Sequence, residues 1–382
     1  MTNTSPLSSA QVLSFLAGLR QNLPDPRDNR GKRHSLEFPL VAVAIALMAS
    51  CQTLSSVHRF ICLKLEWLRE LTGMPQATVL SRAYLPRFLD RMDWSALGQL
   101  IGQHFQVAVA LDDWVAVDGK ALRGSACGAQ REAVVLAVAH SSGEEVARAP
   151  QSGPKTSEVY AVRQLLEDAG LLRRKVSMDA LHCNPQTLAL IAQAQGTYLV
   201  QVKGNQPELE HRCGTLALCE PALSSLAQTD KGHGRVTART HHLLALRAGV
   251  LDKRWAPCQA RYLVAVHRET YTCATQTTAT ELSYYVTNIG CIGSPANVLA
   301  ELAAAIRGHW KVESNNWVRD VTLGEDRTRV AAPNQAQVLA LLRSLVLNLL
   351  RRAKGPSLQA VVDRFCHMPA ALADWLRQMR VL

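Results

Sequence analysis

Three carboxylates carry the clearest chemistry in this sequence: Asp118, Asp179 and Glu313. Asp118 closes the apolar run that begins at Trp114, and Asp179 closes the run that begins at Lys175; both runs have strand composition. Glu313 lies in 302–321, where Leu302, Ile306, Trp310 and Trp317 recur at helical spacing and Glu313 falls inside their stripe. A Glu flanked on its own face by two Trp is costly to desolvate unless it is paired or holds a metal. Taken singly, each residue has an ordinary explanation. Asp-Gly after a strand is a common turn, an Asp at a strand end is a common helix cap, and Glu313 could pair with Arg307 or Arg319. Taken together, two Asp and one Glu with no Cys or His cluster form a hard oxygen site suited to Mg2+ or Mn2+ rather than Zn2+. Two such ions roughly 3.5–4 Å apart can activate a water or a 3′-hydroxyl and stabilise the oxygen that leaves in an in-line phosphoryl displacement.

The elements that would position these residues follow from the pattern of the chain. Residues 112–211 read as three strands (Trp114–Asp118, Val134–Ala139, Glu145–Arg148), a helix (Val159–Leu166), a strand (Lys175–Asp179), a helix (Pro185–Gln195) and a strand (Thr197–Lys203). That order suits a mixed sheet whose first three strands form a meander and whose last two join by crossovers. Ligands collect at the carboxyl ends of such strands, so neighbouring first and fourth strands would make Asp118 and Asp179 face each other. Asp, Asp and Glu on the first strand, the fourth strand and a later helix are arranged as in ribonuclease H-like proteins. The expected fold class is therefore α/β: a ribonuclease H-like mixed sheet with a β-rich insertion at 212–295, preceded by an all-helical region at 1–111. Residues 112–211 would form the first part of the core, and 296–382 would complete it with the Glu313 helix and C-terminal helices.

In residues 1–111, helical spacing is evident over Ser8–Leu23, Phe38–Ser50, Leu54–Leu71 and Ser81–Val107. A loop between the first two carries four Lys/Arg from 27 to 33, with Lys32 and Arg33 among them, and is a candidate for phosphate contact. The chain has 382 residues, is 48% hydrophobic and carries a formal charge of +11, which describes a globular protein with a polyanionic partner, nucleic acid first. Its ten cysteines show neither Cys-x-x-Cys nor zinc-finger spacing and read as reduced thiols. Apolar runs at Phe38–Ala49 and Val338–Leu350 are too short to span a bilayer, and the N-terminus lacks the features of a signal peptide; a cytoplasmic protein without a membrane partner is expected.

Several blocks in order resemble one family, the ISAs-type, or H-repeat-associated, insertion-sequence transposases of the DDE superfamily. They are Asp-Pro-Arg-Asp-Asn-Arg with Gly-Lys-Arg-His at 25–34, Val-Ala-Val-Asp-Gly-Lys-Ala-Leu-Arg-Gly-Ser at 115–125, and Lys-Thr-Ser-Glu at 155–158. Met-Asp-Ala-Leu-His-Cys at 178–183, Val-Lys-Gly-Asn-Gln-Pro at 202–207, Arg-Gly-His-Trp-x-x-Glu at 307–313 and Arg-Asp-Val-Thr-x-Gly-Glu-Asp at 319–326 complete the set. The resemblance implies that Asp118, Asp179 and Glu313 bind metal, two Mg2+ or Mn2+ ions, and that the enzyme cuts DNA at the inverted repeats of its element and joins the ends to target DNA as a homodimer. Expected DNA contacts are Lys120, Arg123, Lys203, Asn205, Gln206, His309 and Arg319, with Lys32 and Arg33. Two other functions fit the same fold: a metal-dependent DNA nuclease, and a decayed copy that only binds its end sequence. One departure from the family pattern is the absence of a residue before Trp317, so that Glu313 to Asp320 is one residue short. Such a loss turns all that follows in a helix by about 100°, which would displace Arg319 and Asp320. A second is Asn184 where the family pattern has Gln.

Overall fold

The computed structural model describes residues 14–27, 32, 34–125, 132–151, 157–232, 234–247, 249–291, 293–330 and 332–382. Two compact units emerge, one of Met1–Val107, Ala121–Glu132 and Asn316–Leu382, the other of Ala108–Lys120 and Ala133–Asn315.

The first unit is helical. Its N-terminal helices are α1 (Phe15–Asn22), α2 (Glu37–Met48), α3 (Leu54–Leu63), α4 (Leu65–Thr72), α5 (Tyr84–Asp90) and α6 (Trp94–His104). Sequence periodicity joins α3 to α4 and α5 to α6, but the chain steps out of helical geometry at Lys64 and restarts at Asp93, whose side chain accepts the N–H groups of Ser95 and Ala96. Every residue of α2 is buried, as expected of a helix that is apolar all round. It packs, with α5 and α6, against a C-terminal helix, Pro333–Arg352. The chain reaches that helix through Arg319, which is fully buried and grips Glu325 with two hydrogen bonds of 3.0 and 2.8 Å. Arg319 also donates to the Ser344 hydroxyl at 2.7 Å and to the carbonyl of Ala340 at 3.2 Å. Among the described residues no helix is long and apolar enough to cross a membrane, and the nine described cysteines are free.

The second unit is built on one nine-stranded mixed sheet. Its strands are β1 (Trp114–Ala121), β2 (Ala133–Ala139), β3 (Glu145–Gln151), β4 (Lys175–Met178), β5 (Thr197–Val202), β6 (Ser224–Gly232), β7 (Arg235–Ala245), β8 (Tyr262–Thr272) and β9 (Thr277–Thr287), in the order β3-β2-β1-β4-β5-β9-β8-β7-β6. Helices α7 (Ser157–Asp168), α8 (Pro185–Gln193) and α9 (Pro207–Cys219) lie between strands in the chain and α10 (Pro295–Val321) follows the last strand; α11 (Pro333–Arg352), α12 (Leu358–His367) and α13 (Pro369–Gln378), of the first unit, come after it. β1, β4 and β5 run parallel, while β5 to β6 are antiparallel throughout. The β-rich stretch after β5 thus does not stand apart from the core sheet; β9 pairs with β5 and extends it. β6 has little alternation to mark it in the sequence, because most of its residues are exposed at the edge of the sheet.

Period-two alternation divides the core. Val115, Val117, Val176, Met178, Tyr198 and Val200 join residues of α7, α8 and α9 in one apolar cluster. Trp114, Leu199, Val264 and Val266 join Val298, Leu299, Leu302, Ala305 and Ile306 of α10 in the other. Asp118, in phase with Trp114, and Asp179, in phase with Ser177, therefore belong to the α10 face of the sheet.

Replacing Arg319 by Leu would leave Glu325 buried without its bidentate partner, and urea denaturation should show a loss of about 3 kcal/mol or more.

Candidate active site

β1 and β4 are hydrogen-bonded neighbours, and the register Val117↔Met178 places Asp118 and Asp179 one residue further, where the β1–β4 ladder ends; β4 stops at Met178, whereas β1 runs on to Ala121, beyond the end at Asp118 that the sequence suggests. The chain turns there for a local reason. The Asp179 side chain accepts the N–H of Leu181 at 3.1 Å and caps a short 3-10 turn, Ala180–His182. Asp179 is thus a cap and a site candidate together. Its side chain keeps 44% of its surface exposed, so the capping bond does not remove it from solvent.

Glu158, in the first turn of α7, reaches the same place. Its carboxyl lies over the bare Cα of Gly119, where a Cβ would come within 2.3 Å of Glu158 Cδ. Only glycine after Asp118 leaves room for it. His182 is fully buried with no hydrogen-bond partner on either ring nitrogen, and its Nε2 stands 3.4 Å from Glu158 Oε1 and 3.7 Å from Asp179 Oδ1. Periodicity and spacing gave no signal for Glu158 or His182; a glycine directly after a strand-end Asp is the hint that something must pack against it.

The electrostatics follow from this crowding. The Asp118 carboxyl is pushed up to about 7, first by burial, then by the charges of Asp179 and Glu158, against the N–H of Gly119 and the pull of His182. Glu313, largely exposed, is also raised, by partial burial opposed by Lys203, with the charge of Asp179 adding to it. Asp179 therefore acts on both of the other two carboxylates. Among the described residues, no three His, Cys, Asp or Glu side chains are gathered closely enough to enclose a metal ion.

The expectation that two buried indoles flank Glu313 is not met: Trp310 is 52% exposed and Trp317 61%. Four-residue steps drift by about 40° each around an α-helix, so the stripe begun by Leu302 and Ile306 leaves the core by Trp310. Burial passes instead to Val312, Asn315 and Arg319. The two arginines that might have neutralised Glu313 have other partners, Arg307 with Asp230 at 3.1 Å and Arg319 with Glu325. α10 runs without a break from Pro295 to Val321, through the stretch before Trp317.

Lys203 is exposed beside Glu313, and Arg123 is exposed with Asp326 at 3.8 Å. Lys32 is exposed as well. Lys120, by contrast, is buried in β1, and Arg319 is enclosed by its own partners. Asn205 donates to the carbonyl of Ala180 at 2.6 Å and Gln206 to that of Cys183 at 3.0 Å, so both fasten the loop after β5 to the turn after Asp179. His309 is hydrogen-bonded to Ser177 inside the unit. Arg33, like Lys155 and residues 28–31, lies outside the described residues.

A mixed sheet with carboxylates at the ends of adjacent parallel strands, and a third carboxylate electrostatically linked to them from a helix, defines an α/β protein with a strand-end acidic site. A family model described as "Transposase DDE domain" matches residues 111–349, and one described as "DDE_Tnp_1-associated" matches residues 20–105. The chain belongs to the DDE transposase family. Relatives include "Putative transposase YncI" of Escherichia coli O157:H7, 26% identical over 347 residues that cover 87% of this chain and 86% of that protein. "H repeat-associated putative transposase YhhI" of Escherichia coli strain K12 is 27% identical over 252 residues, 63% of this chain and 65% of that protein.

Because the folded state holds a proton on Asp118 more tightly than the unfolded chain does, the stability it contributes is full below about pH 4 and is lost as pH rises through about 7. Asp118→Asn, which removes the charge and keeps the shape, should stabilise the metal-free chain at pH 8 by a few kcal/mol, on the order of 1.4 kcal/mol per pKa unit, and change little below pH 4. Chemical denaturation at the two pH values measures the difference.

Proposed function

We propose that the chain is a DNA transposase whose second unit is ribonuclease H-like and whose Asp118, Asp179 and Glu313 cut DNA at the ends of an insertion element and join those ends to a target. The observation that carries this reading is the pairing of β1 with β4, which sets Asp118 and Asp179 side by side at strand ends, with Glu313 influenced by the same Asp179. The strand order β3-β2-β1-β4-β5 supports the ribonuclease H-like part.

The donor chemistry suits a hard divalent ion: the candidate ligands are all carboxylate oxygens, and burial with the charges of Asp179 and Glu158 pushes the Asp118 carboxyl up to about 7. Asp118, Asp179 and Glu313 would hold Mg2+ or Mn2+, two ions in the full reading. Bound there, the metal supplies an activated water or 3′-hydroxyl and stabilises the leaving oxygen of the phosphodiester. Lys203, next to Glu313, is placed to attract a phosphate, and Arg123 and Lys32 extend the exposed basic groups. Residues 1–111 would form a DNA-contacting region. Two protomers would pair the two ends.

Cleavage of a supercoiled plasmid that carries the element ends, with Mg2+ or Mn2+, tests the reading. Asp179→Ala and Glu313→Ala should each lower cutting by at least about a thousandfold, on the scale of the loss of an essential catalytic group, while gel shifts show end binding unchanged. Cutting without joined product would leave a nuclease. No cutting by the wild type, with end binding intact, would leave a DNA-binding protein.

Mn2+ should also raise the melting temperature of the wild type and not that of Asp179→Ala, as a ligand that binds only the folded state does. Equal shifts in both would remove Asp179 from the metal site.

A further inference from the structure

We propose that Ser177, held between His140 and His309, is a positioning residue that fixes the Glu313 helix against the strand that ends in Asp179. The proposal rests on the transposase reading for its catalytic consequence and on geometry alone for the bridge itself.

His140 Nε2 is 2.9 Å from Ser177 Oγ, and Ser177 Oγ is 3.0 Å from His309 Nδ1. The three residues come from the end of β2, from β4 and from α10. Ser177 precedes Asp179 by two residues, one step on the same face of the strand. His309 precedes Glu313 by four, one helical turn on the same side of α10. The bridge therefore ties the two elements one step behind the two carboxylates, where it sets their separation without occupying the site.

The hydrogens of the bridge are limited by its three members. Burial, aided by the other ring's charge, pushes His140 down to about 4, and burial, aided by His182 and opposed by Asp179, does the same for His309. Both rings are neutral near pH 7, so each has one N–H and one bare nitrogen. A hydroxyl gives one hydrogen bond and accepts others. At least one imidazole must donate to Ser177, which either donates to the other or accepts from both. Alanine at 177 would leave two ring nitrogens facing a gap.

The fit around the bridge is close. The ring of His140 lies on the bare Cα of Gly308, where a Cβ would come within 2.3 Å of His140 Nδ1, and it stacks on Trp114 with ring centroids 6.4 Å apart. Beyond His309 the helix holds the turn between β2 and β3 directly: Lys311 Nζ donates to the carbonyl of Ser141 at 3.1 Å, and Asn315 Nδ2 to that of Gly143 at 2.8 Å. Nearer its start, α10 has a separate tie, Glu301 to Lys175 at 2.6 Å and to the Trp114 indole N–H at 3.1 Å. That second tie provides an internal control.

The test uses the full chain and hydrogen exchange of α10 amides, compared among wild type, Ser177→Ala, Ser177→Thr, Gly308→Ala and Glu301→Gln, with kcat and KM for end cleavage measured alongside. Ser177→Ala should speed exchange over 307–315 about tenfold, the effect of one lost hydrogen bond of ordinary net strength, and leave 298–304 unchanged. Ser177→Thr, which keeps the hydroxyl, should restore the wild-type pattern. Gly308→Ala favours a helix by intrinsic propensity, yet it should speed the same amides by displacing His140, which reaches the bridge without touching Ser177. The kcat of Ser177→Ala should fall at least tenfold with KM for DNA unchanged. Unchanged exchange in Ser177→Ala overturns the proposal, and so does an equal effect on 307–315 from Glu301→Gln. Because exchange is read without DNA, a wild type that cuts nothing while Ser177→Ala frees 307–315 would sink the transposase reading and leave the bridge standing.

Discussion

Like charges brought together by backbone hydrogen bonds are the constraint on which the rest of this structure depends. Asp118 and Asp179 are side by side because β1 and β4 are paired, and Glu158 adds a third negative group from α7. Nothing in their own interaction favours this arrangement. It is maintained by the parallel ladder beneath it and by an apolar cluster of Val, Leu and Met side chains that the ladder cannot leave without exposing. The raised pKa of Asp118 reflects its burial first and that imposed proximity second. A site of this kind stores unfavourable electrostatic energy in the empty protein and releases it when positive charge arrives.

The helix that brings Glu313 serves two purposes along its length. Through Ile306 it is an ordinary core helix, its apolar stripe against β5, β7 and β8. From Gly308 onward its ties become polar and specific, to Ser177, Ser141 and Gly143. Apolar contacts tolerate a small slide; directional hydrogen bonds do not. The change from one kind of contact to the other falls just before Glu313, where position matters most.

How much of this the sequence disclosed varied with the type of signal. Asp118 and Asp179 were legible because strands end abruptly and a polar residue after an apolar run stands out. Their adjacency was an inference from topology, and the parallel register bears it out. The surroundings of Glu313 were misjudged, since a stripe read on a straight helical net ignores how the partner surface changes along the helix. Arg319 and Lys120 looked like basic residues available to DNA because charge is visible in sequence, whereas burial against Glu325 and α11 or within a strand is not. His309 belonged to a recognisable block, but its partner Ser177 is 132 residues away in the chain and is an unremarkable strand residue by itself.

The pairing of β5 with β9 has a consequence for how the protein is made. β5 ends at Val202 and β9 begins at Thr277, so on the ribosome the inner edge of a six-residue, largely apolar strand waits for more than seventy residues before its partner exists. At roughly 5–20 residues per second that is several seconds of open edge, long enough for a chaperone or a neighbouring chain to engage it. Glu313 follows β9 in the chain, so it is made only after every strand of the sheet.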